Sequence, residues 1–497
     1  MKELHFPWLE LSILIPLLGA LVTSAIRLKR ADRARTWALW TTGITLAFSI
    51  AAWRDFNLLR TFEAHDRWDL LRGLRGADVL VIDELSAPLL PLASLLYFLT
   101  VLSTLRTKVR RMSFGNLLFS QAILLLTLSS KEPTVVICLL CLSTLPPVIE
   151  LISRRKPIRA YAIHLSLHVL FLTIGWGFFW AGSSDSQSGL SHLSLAGIVL
   201  MMLGILVRCG VAPLHCWMTD LFEHASFGSA ILFVTPMAGA YGALRLILPI
   251  APDWTMRILA VASLLTALYA SGMALVQNES RRYFCYLFLS NSSLVLVGLE
   301  TATPAALTGG LCVWLSVSLS PAGLGFTLRS VESRMGRLSL RDHHGLYEHT
   351  PTLAWLFLLA RLASVGFPGT IGFIANELLV DGLIHQVPLF GAVVVLVAAI
   401  NGISILQVYF RLFTGKRHSS SISLKIQLPA QVAVLVLAAV VLGAGLVPQP
   451  FLSSRFHAAN QLMERRQPDS VSNPSVSSEL DQQQFHSETG SPKRVQP

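Results

Sequence analysis

The apolar run Leu195–Leu206 continues into Val211-Ala212-Pro213-Leu214-His215, and a second run, Leu353–Ile384, is cut at Gly366-Phe367-Pro368-Gly369-Thr370. Proline removes a helix hydrogen bond and glycine loosens the backbone. In hydrocarbon the freed carbonyls need another partner, so such breaks are confined to places buried in protein or lined by water. Two interrupted helices in corresponding halves of a chain point to an ion or substrate path near the midplane. A packing kink is the alternative that the pattern leaves open.

The rest of the chain reads as membrane-embedded. Of 497 residues, 13% are charged and 53% hydrophobic. Soluble domains carry about 25% charged residues. A chain this apolar lacks the polar surface to cover a core in water, which excludes a cytosolic enzyme, a disordered protein and a secreted domain. Apolar runs fall at Leu9–Ile26, Trp37–Trp53, Leu85–Leu105, Phe114–Leu128, Thr134–Ile152, Ala160–Trp180 and Leu195–Leu206. They continue at Ser229–Leu248, Met256–Val276, Tyr283–Leu299, Ala306–Leu328, Leu353–Ile384, Leu389–Phe410 and Val432–Leu446, fourteen in all. A helix crosses the hydrocarbon in about 20 residues. The expected fold is all-α and integral to the membrane, with about fourteen spans over residues 1–464 and a disordered Ser-, Gln- and Pro-rich tail over 465–497.

Net charge is +11, but the basic residues are clustered between apolar runs, which argues against a nucleic-acid partner and for loops beside a bilayer. Arg27, Lys29, Arg30, Arg33 and Arg35 follow span one, and Arg106, Lys108, Arg110 and Arg111 follow span three. Arg154, Arg155, Lys156 and Arg159 follow span five, Arg281 and Arg282 span nine, Arg329 and Arg334 span eleven, and Arg411, Lys416 and Arg417 span thirteen. Loops after spans six, ten and twelve carry no Lys or Arg. The loop after span seven, with Asp220 and Glu223, adds nothing to the bias. Odd-numbered loops are therefore expected in the cytoplasm of a multi-pass inner-membrane protein, with both termini outside. The mixed-charge stretch from Asp55 to Asp83 reads as a surface loop.

No metal or redox cofactor is expected in this chain. The six cysteines, Cys138, Cys141, Cys209, Cys216, Cys285 and Cys312, all lie in or beside apolar segments, and His343, His344 and His349 lack a completing ligand. There is no dinucleotide fingerprint and no iron–sulfur spacing.

Several stretches then carry a resemblance: IDELSAPLL (82–90), APLHCW (212–217), AGAYGALR (238–245), ALVQNESRRYFCY (274–286), ASVGFPGTIGF (363–373) and VPQPF (447–451). In this order and spacing, over roughly Leu9 to Phe451, the chain resembles the antiporter-like membrane subunits of NADH:quinone oxidoreductase (L, M and N type, closest to M) and of multisubunit cation/proton antiporters. The resemblance implies fourteen helices around two inverted five-helix repeats, roughly residues 114–248 and 256–410, with helices seven and twelve discontinuous. It also implies other membrane subunits as partners and proton movement through buried ionisable residues, since a charge in hydrocarbon is unusual outside an ion path.

Carried over position by position, the resemblance is incomplete. The family's helix-five glutamate falls on Cys141, five residues before Pro146. Its helix-seven lysine falls on Arg208, its helix-eight lysine on Met237, a helix-eleven histidine on Val317 and the nearby lysine on Pro321. The acid or lysine of helix twelve falls on Asn376, with Glu377 next to it. Arginine holds its proton at physiological pH, so Arg208 reads as a fixed charge. Glu150, beyond the lost glutamate, is expected to pair with Arg154. Arg361 stands where the family has a small or apolar residue; it belongs either to a rebuilt charge relay with Glu377 or Asp381, or to a helix end or partner contact. His215 is a relay residue or the donor to a loose carbonyl. The proton-path candidates are thus Arg208, His215, Glu377 and Arg361. Three functions follow: a proton-translocating subunit of a redox-driven complex whose NADH and quinone chemistry lies in partners, a non-conducting scaffold, or a subunit of a cation/proton antiporter or bicarbonate-uptake complex.

Overall fold

The computed structural model describes residues 2–27, 31–69, 79–105, 112–184, 191–301, 303–415 and 427–466. Every one of the fourteen apolar runs is helical. The first run is α1 (Trp8–Arg27), the second α2 (Ala31–Leu59), followed by α3 (Leu89–Leu102) and α4 (Phe114–Leu128). The fifth run divides into α5 (Pro133–Leu142) and α6 (Leu145–Ser153), and α7 is Arg159–Ser184. The seventh comprises α8 (His192–Cys209) and α9 (Cys216–His224); the eighth comprises α10 (Phe227–Val234) and α11 (Ala238–Gly242), which runs on as a π-helical turn over Ala243–Ile247. Then come α12 (Asp253–Val276), α13 (Ser280–Glu300) and α14 (Pro304–Met335). The twelfth run divides into α15 (Pro351–Val365) and α16 (Ile371–Ile384), and α17 (Pro388–Phe413), α18 (Leu428–Leu446) and α19 (Gln449–Arg466) complete the chain.

Ten helical segments among the described residues are long and apolar enough to cross a membrane. The hydrophobic windows of Phe227–Ile247, Ser280–Glu300 and Pro304–Met335 are wholly buried, whereas that of Arg159–Gly182 is only 22% buried. The first three therefore form the centre, and the peripheral helices turn apolar faces outward, with Leu21, Trp40, Trp180, Ile403 and Leu435 exposed. A helix apolar all round has nowhere polar to face, and lipid accepts what water would not.

Several features depart from the sequence reading. The stretch from Asp55 to Asp83 is not a plain loop: Asp55 belongs to α2, and β2 (Glu63–His65) lies between β1 (Lys2–Glu3) and β3 (Val81–Asp83) in a three-stranded sheet. The chain also continues past the last apolar run as α19, so Arg465 and Arg466 end a helix and do not begin the tail; residues 467–497 lie outside the described ones. Arg465 meets Glu63 at 3.4 Å, so the first strand and the end of the last helix share one end of the bundle. Arg154, Arg281, Arg329 and Arg334 gather at the other end, where Arg281 pairs with Glu332 and Arg282 with Glu223.

Two of the quoted stretches meet at the sheet end, with α19 beside them. Asp83 and Arg245 form a buried ion pair at 2.8 Å. Tyr241 donates to the carbonyls of Leu128 and Ser130. Arg455 of α19, fully buried, donates to the carbonyls of Glu84 and Leu85.

Candidate functional site

Four of the runs are interrupted, two more than the sequence reading anticipated. In each, neighbouring side chains satisfy carbonyls near the break. In run seven, α8 closes on Gly210 in the left-handed region (φ 73°), the Trp217 indole donates to Val207 O at 2.8 Å, and Thr266 of α12 accepts from Ala212 N. In run eight, Met237 adopts φ 52°, and Ser318 and Trp314 of α14 donate to Thr235 O and Pro236 O. In run five, the break falls just beyond Cys141; Tyr161 donates to Thr144 O and Asn116 to Pro146 O. In run twelve, Gly366 (φ 87°) ends α15, Thr370 donates to Phe367 O, and Ser320 donates to Ala360 O. Run eleven carries Pro321 without a break, since α14 stays helical through it.

Arg208, on the last turn of α8, is buried, with its guanidinium carbon 3.9 Å from the Phe233 ring centroid and 5.9 Å from that of Trp217. No carboxylate among the described residues pairs with it. A cation held against aromatic faces gains from their quadrupoles, by about 2 kcal/mol when desolvated. A small cavity beside it, bordered by Met237, Gly239, Phe288 and Ser292, has room for about one water. His215, buried in the break, packs against Tyr269 and Tyr286, and its Nδ1 has no partner.

Arg361 in α15 is fully buried, and none of its guanidinium nitrogens makes a hydrogen bond. The expected pairing with Glu377 or Asp381 is not formed: Glu377 is exposed on the outside of α16, and Asp381 lies near His385. Helical geometry explains this, because the residue after Asn376 is turned by about 100° from it. Asn376 itself faces the break, close to Gly366. Met237 and Val317 are buried among apolar neighbours and Cys141 is half-buried. Glu150 pairs with Arg154 at 3.1 Å, as expected, and also accepts from Ser226 N.

Sequence reasoning missed a set of buried polar groups. Ser290, Asn291, Ser292 and Ser293 are consecutive and all buried in α13. Ser292 borders the Arg208 cavity, and Ser290 accepts from Asn401 of α17 at 3.0 Å. Asn401 Oδ1 has no hydrogen-bond partner among the described residues. His168 of α7 contacts Gly204 O at 2.7 Å through Nδ1, its Nε2 unpartnered, and Glu300 is buried near Ser263. Four consecutive polar residues within an otherwise apolar run were the available signal.

Long apolar helices, broken where neighbouring side chains take over the backbone hydrogen bonds and packed around buried polar groups, define a polytopic membrane protein of the discontinuous-helix kind. The profile of the NADH:quinone oxidoreductase/Mrp antiporter transmembrane family matches residues 160–401. The chain is 26% identical over 484 residues to an NAD(P)H-quinone oxidoreductase chain 4 of Picosynechococcus sp., spanning 90% of each. It is 28% identical over 435 residues to a chain 4 of Synechococcus sp., spanning 82% of each. Its fold matches a chain of the Mrp complex from Dietzia sp. (TM-score 0.78, 18% identity, 93% of this chain and 98% of that one). It also matches a chain of respiratory complex I from Thermus thermophilus (TM-score 0.78, 20% identity, 92% and 99%). Over most of its length the chain is thus similar to antiporter-like membrane subunits of this kind.

Proposed function

We propose that the chain is a membrane subunit of a proton-translocating complex of the NADH:quinone oxidoreductase type, lying in the bacterial inner membrane with both termini outside and other membrane subunits beside it. Redox chemistry belongs to those partners, and this chain contributes the membrane path. The observation that carries the reading is the buried run Ser290–Ser293, which joins the Arg208 cavity on one side to Asn401 on the other. Hydroxyl and amide groups both donate and accept, so with water they can pass a proton between two broken helices. Arg208 and Arg361 keep their protons and act as fixed positive charges that set the potential along the seam. His215 and Asn376 stand at the two breaks and Asn401 beside the seam, whereas Glu377 lies off the path.

A second reading is a non-conducting scaffold, favoured by the apolar packing of Met237 and Val317 where the family carries ionisable groups. Proton uptake by the reconstituted complex separates them. Arg208→Ala and Asn401→Leu are expected to lower uptake by about tenfold or more, the loss of one strong polar contact. Glu377→Gln is expected to leave it unchanged. Equal uptake in all three variants and the wild type would establish the scaffold.

A further inference from the structure

At the end of the bundle opposite the sheet, a cavity of about 250 Å³ is lined by five arginines, Arg154, Arg281, Arg329, Arg334 and Arg337, and a single carboxylate, Glu332. That carboxylate is already committed: Arg281 grips it through Nε and Nη2 at 2.8–3.1 Å. Arg154 is paired with Glu150, and Arg337 stands 4.0 Å from Glu223. Arg329 differs from these. Its guanidinium donates to Thr100 O, Ser103 Oγ, Thr104 Oγ1 and Met112 Sδ, all neutral acceptors. A guanidinium in this setting, beside four others, lacks an anion in proportion to its charge. Ser103, Thr104, Ser226, Ser330 and Ser333 add hydroxyls to the same wall. Forked guanidinium groups with hydroxyls between them are the donor set that recognises a tetrahedral oxyanion.

The position narrows the source. Seven helices begin or end at this level: α3 at Leu102, α4 at Phe114, α6 at Ser153, α10 at Phe227, α13 at Ser280, α14 at Met335 and α18 at Leu428. Helix ends mark the depth at which lipid headgroups lie. Met112, Phe227 and Ala430 supply apolar lining, and Leu428, next to the lining residue Gln427, is 72% exposed, so the pocket adjoins the lipid-facing surface.

We propose that this arginine pocket binds a phosphate group, presented by the headgroup of an anionic phospholipid whose chains lie along α18. The proposal concerns a different end of the molecule from the half-depth seam and stands independently of proton conduction. It is tested with the full-length protein in two arms. In the first, the protein is reconstituted in phosphatidylcholine vesicles containing phosphatidylglycerol, re-extracted in mild detergent and weighed by native mass spectrometry. In the second, inorganic phosphate is added to lipid-depleted protein and the thermal midpoint is followed.

The expected result is phosphatidylglycerol retained on the wild type and lost by about tenfold or more in Arg329→Gln, with retention weakening as salt rises. Arg257→Gln, which removes the same charge near the opposite end of the bundle, is expected to retain the lipid. Should Arg329→Gln fail to fold, the double variant Arg154→Gln/Arg337→Gln decides instead. Stabilisation by inorganic phosphate without lipid retention would keep the phosphate site and reassign its source to the free ion. Absence of both effects, or equal retention by the pocket variants and Arg257→Gln, would overturn the proposal.

Discussion

Arg208 stands 3.9 Å from the Phe233 centroid with no carboxylate partner among the described residues, so the desolvation of its charge is offset mainly by aromatic faces. Removing such a charge relieves a penalty where removing half of an ion pair creates one. Arg208→Leu is accordingly expected to raise stability by about 1 kcal/mol or more, read as a higher thermal midpoint in detergent, while proton uptake falls. Arg208→Lys restores a group that can release its proton when desolvated, and uptake by the reconstituted complex is expected to equal or exceed that of the wild type. A lower uptake for lysine than for leucine would contradict the fixed-charge role. The Asp83–Arg245 pair is the opposite case. Both partners are buried and 2.8 Å apart, so Arg245→Met leaves a carboxylate without its counter-charge. The expected cost is about 3–5 kcal/mol, measured by denaturant unfolding, with Asp83→Leu/Arg245→Met recovering much of it.

At the scale of elements, the breaks are built by close approach as much as by proline. A Cβ on Gly372 would lie 1.8 Å from Ala363 O, a backbone atom that cannot swing aside. A Cβ on Gly366 would meet the Asn376 amide at 2.9 Å, the movable end of a side chain, but the backbone there has φ 87°. Gly366→Ala is therefore expected to cost about 1–2 kcal/mol from backbone strain. Gly372→Ala is expected to cost more, up to about 3 kcal/mol, because α15 and α16 must separate. Thermal unfolding of the two variants checks the order; the reverse order would mean that strain, not contact, limits this break. The same scale explains why Pro321 leaves α14 helical while Pro236 ends α10. After Pro236 the chain turns left-handed at Met237, and Ser318 and Trp314 accept the burden of the exposed carbonyls.

Across the whole molecule, the sheet end couples the termini to pH. Burial pushes the Asp66 carboxyl up from its ordinary 3.8 to about 7, with Glu10 adding to the rise and the backbone amides of Glu10 and Arg67 opposing it. Between those values the folded chain holds a proton that the unfolded chain has released. Stability from this group is therefore full below about pH 4 and declines as pH rises toward 7. Asp66→Asn is expected to flatten that slope and to stabilise the protein at pH 8 by on the order of 1–3 kcal/mol, the shift being discounted for partial solvent access. An unchanged slope in unfolding midpoints between pH 4 and pH 8 would remove Asp66 as its source.

What was legible beforehand is the part governed by local physics. Apolar run length and clustered Lys and Arg specify a helical membrane bundle, since lipid demands internally satisfied backbone, and Pro213 and Pro368 mark two of its interruptions. The partners of side chains were not legible. Arg361 lies sixteen residues before Glu377 in sequence yet faces the bundle while Glu377 faces out, and Ser290 finds Asn401 across 111 residues. A single sequence records which groups can bond or carry charge; which of them share a buried space depends on how helices distant in the chain rotate and pack. That is why the polar seam of α13, the Asp83–Arg245 pair and the arginine pocket were settled only by the tertiary structure.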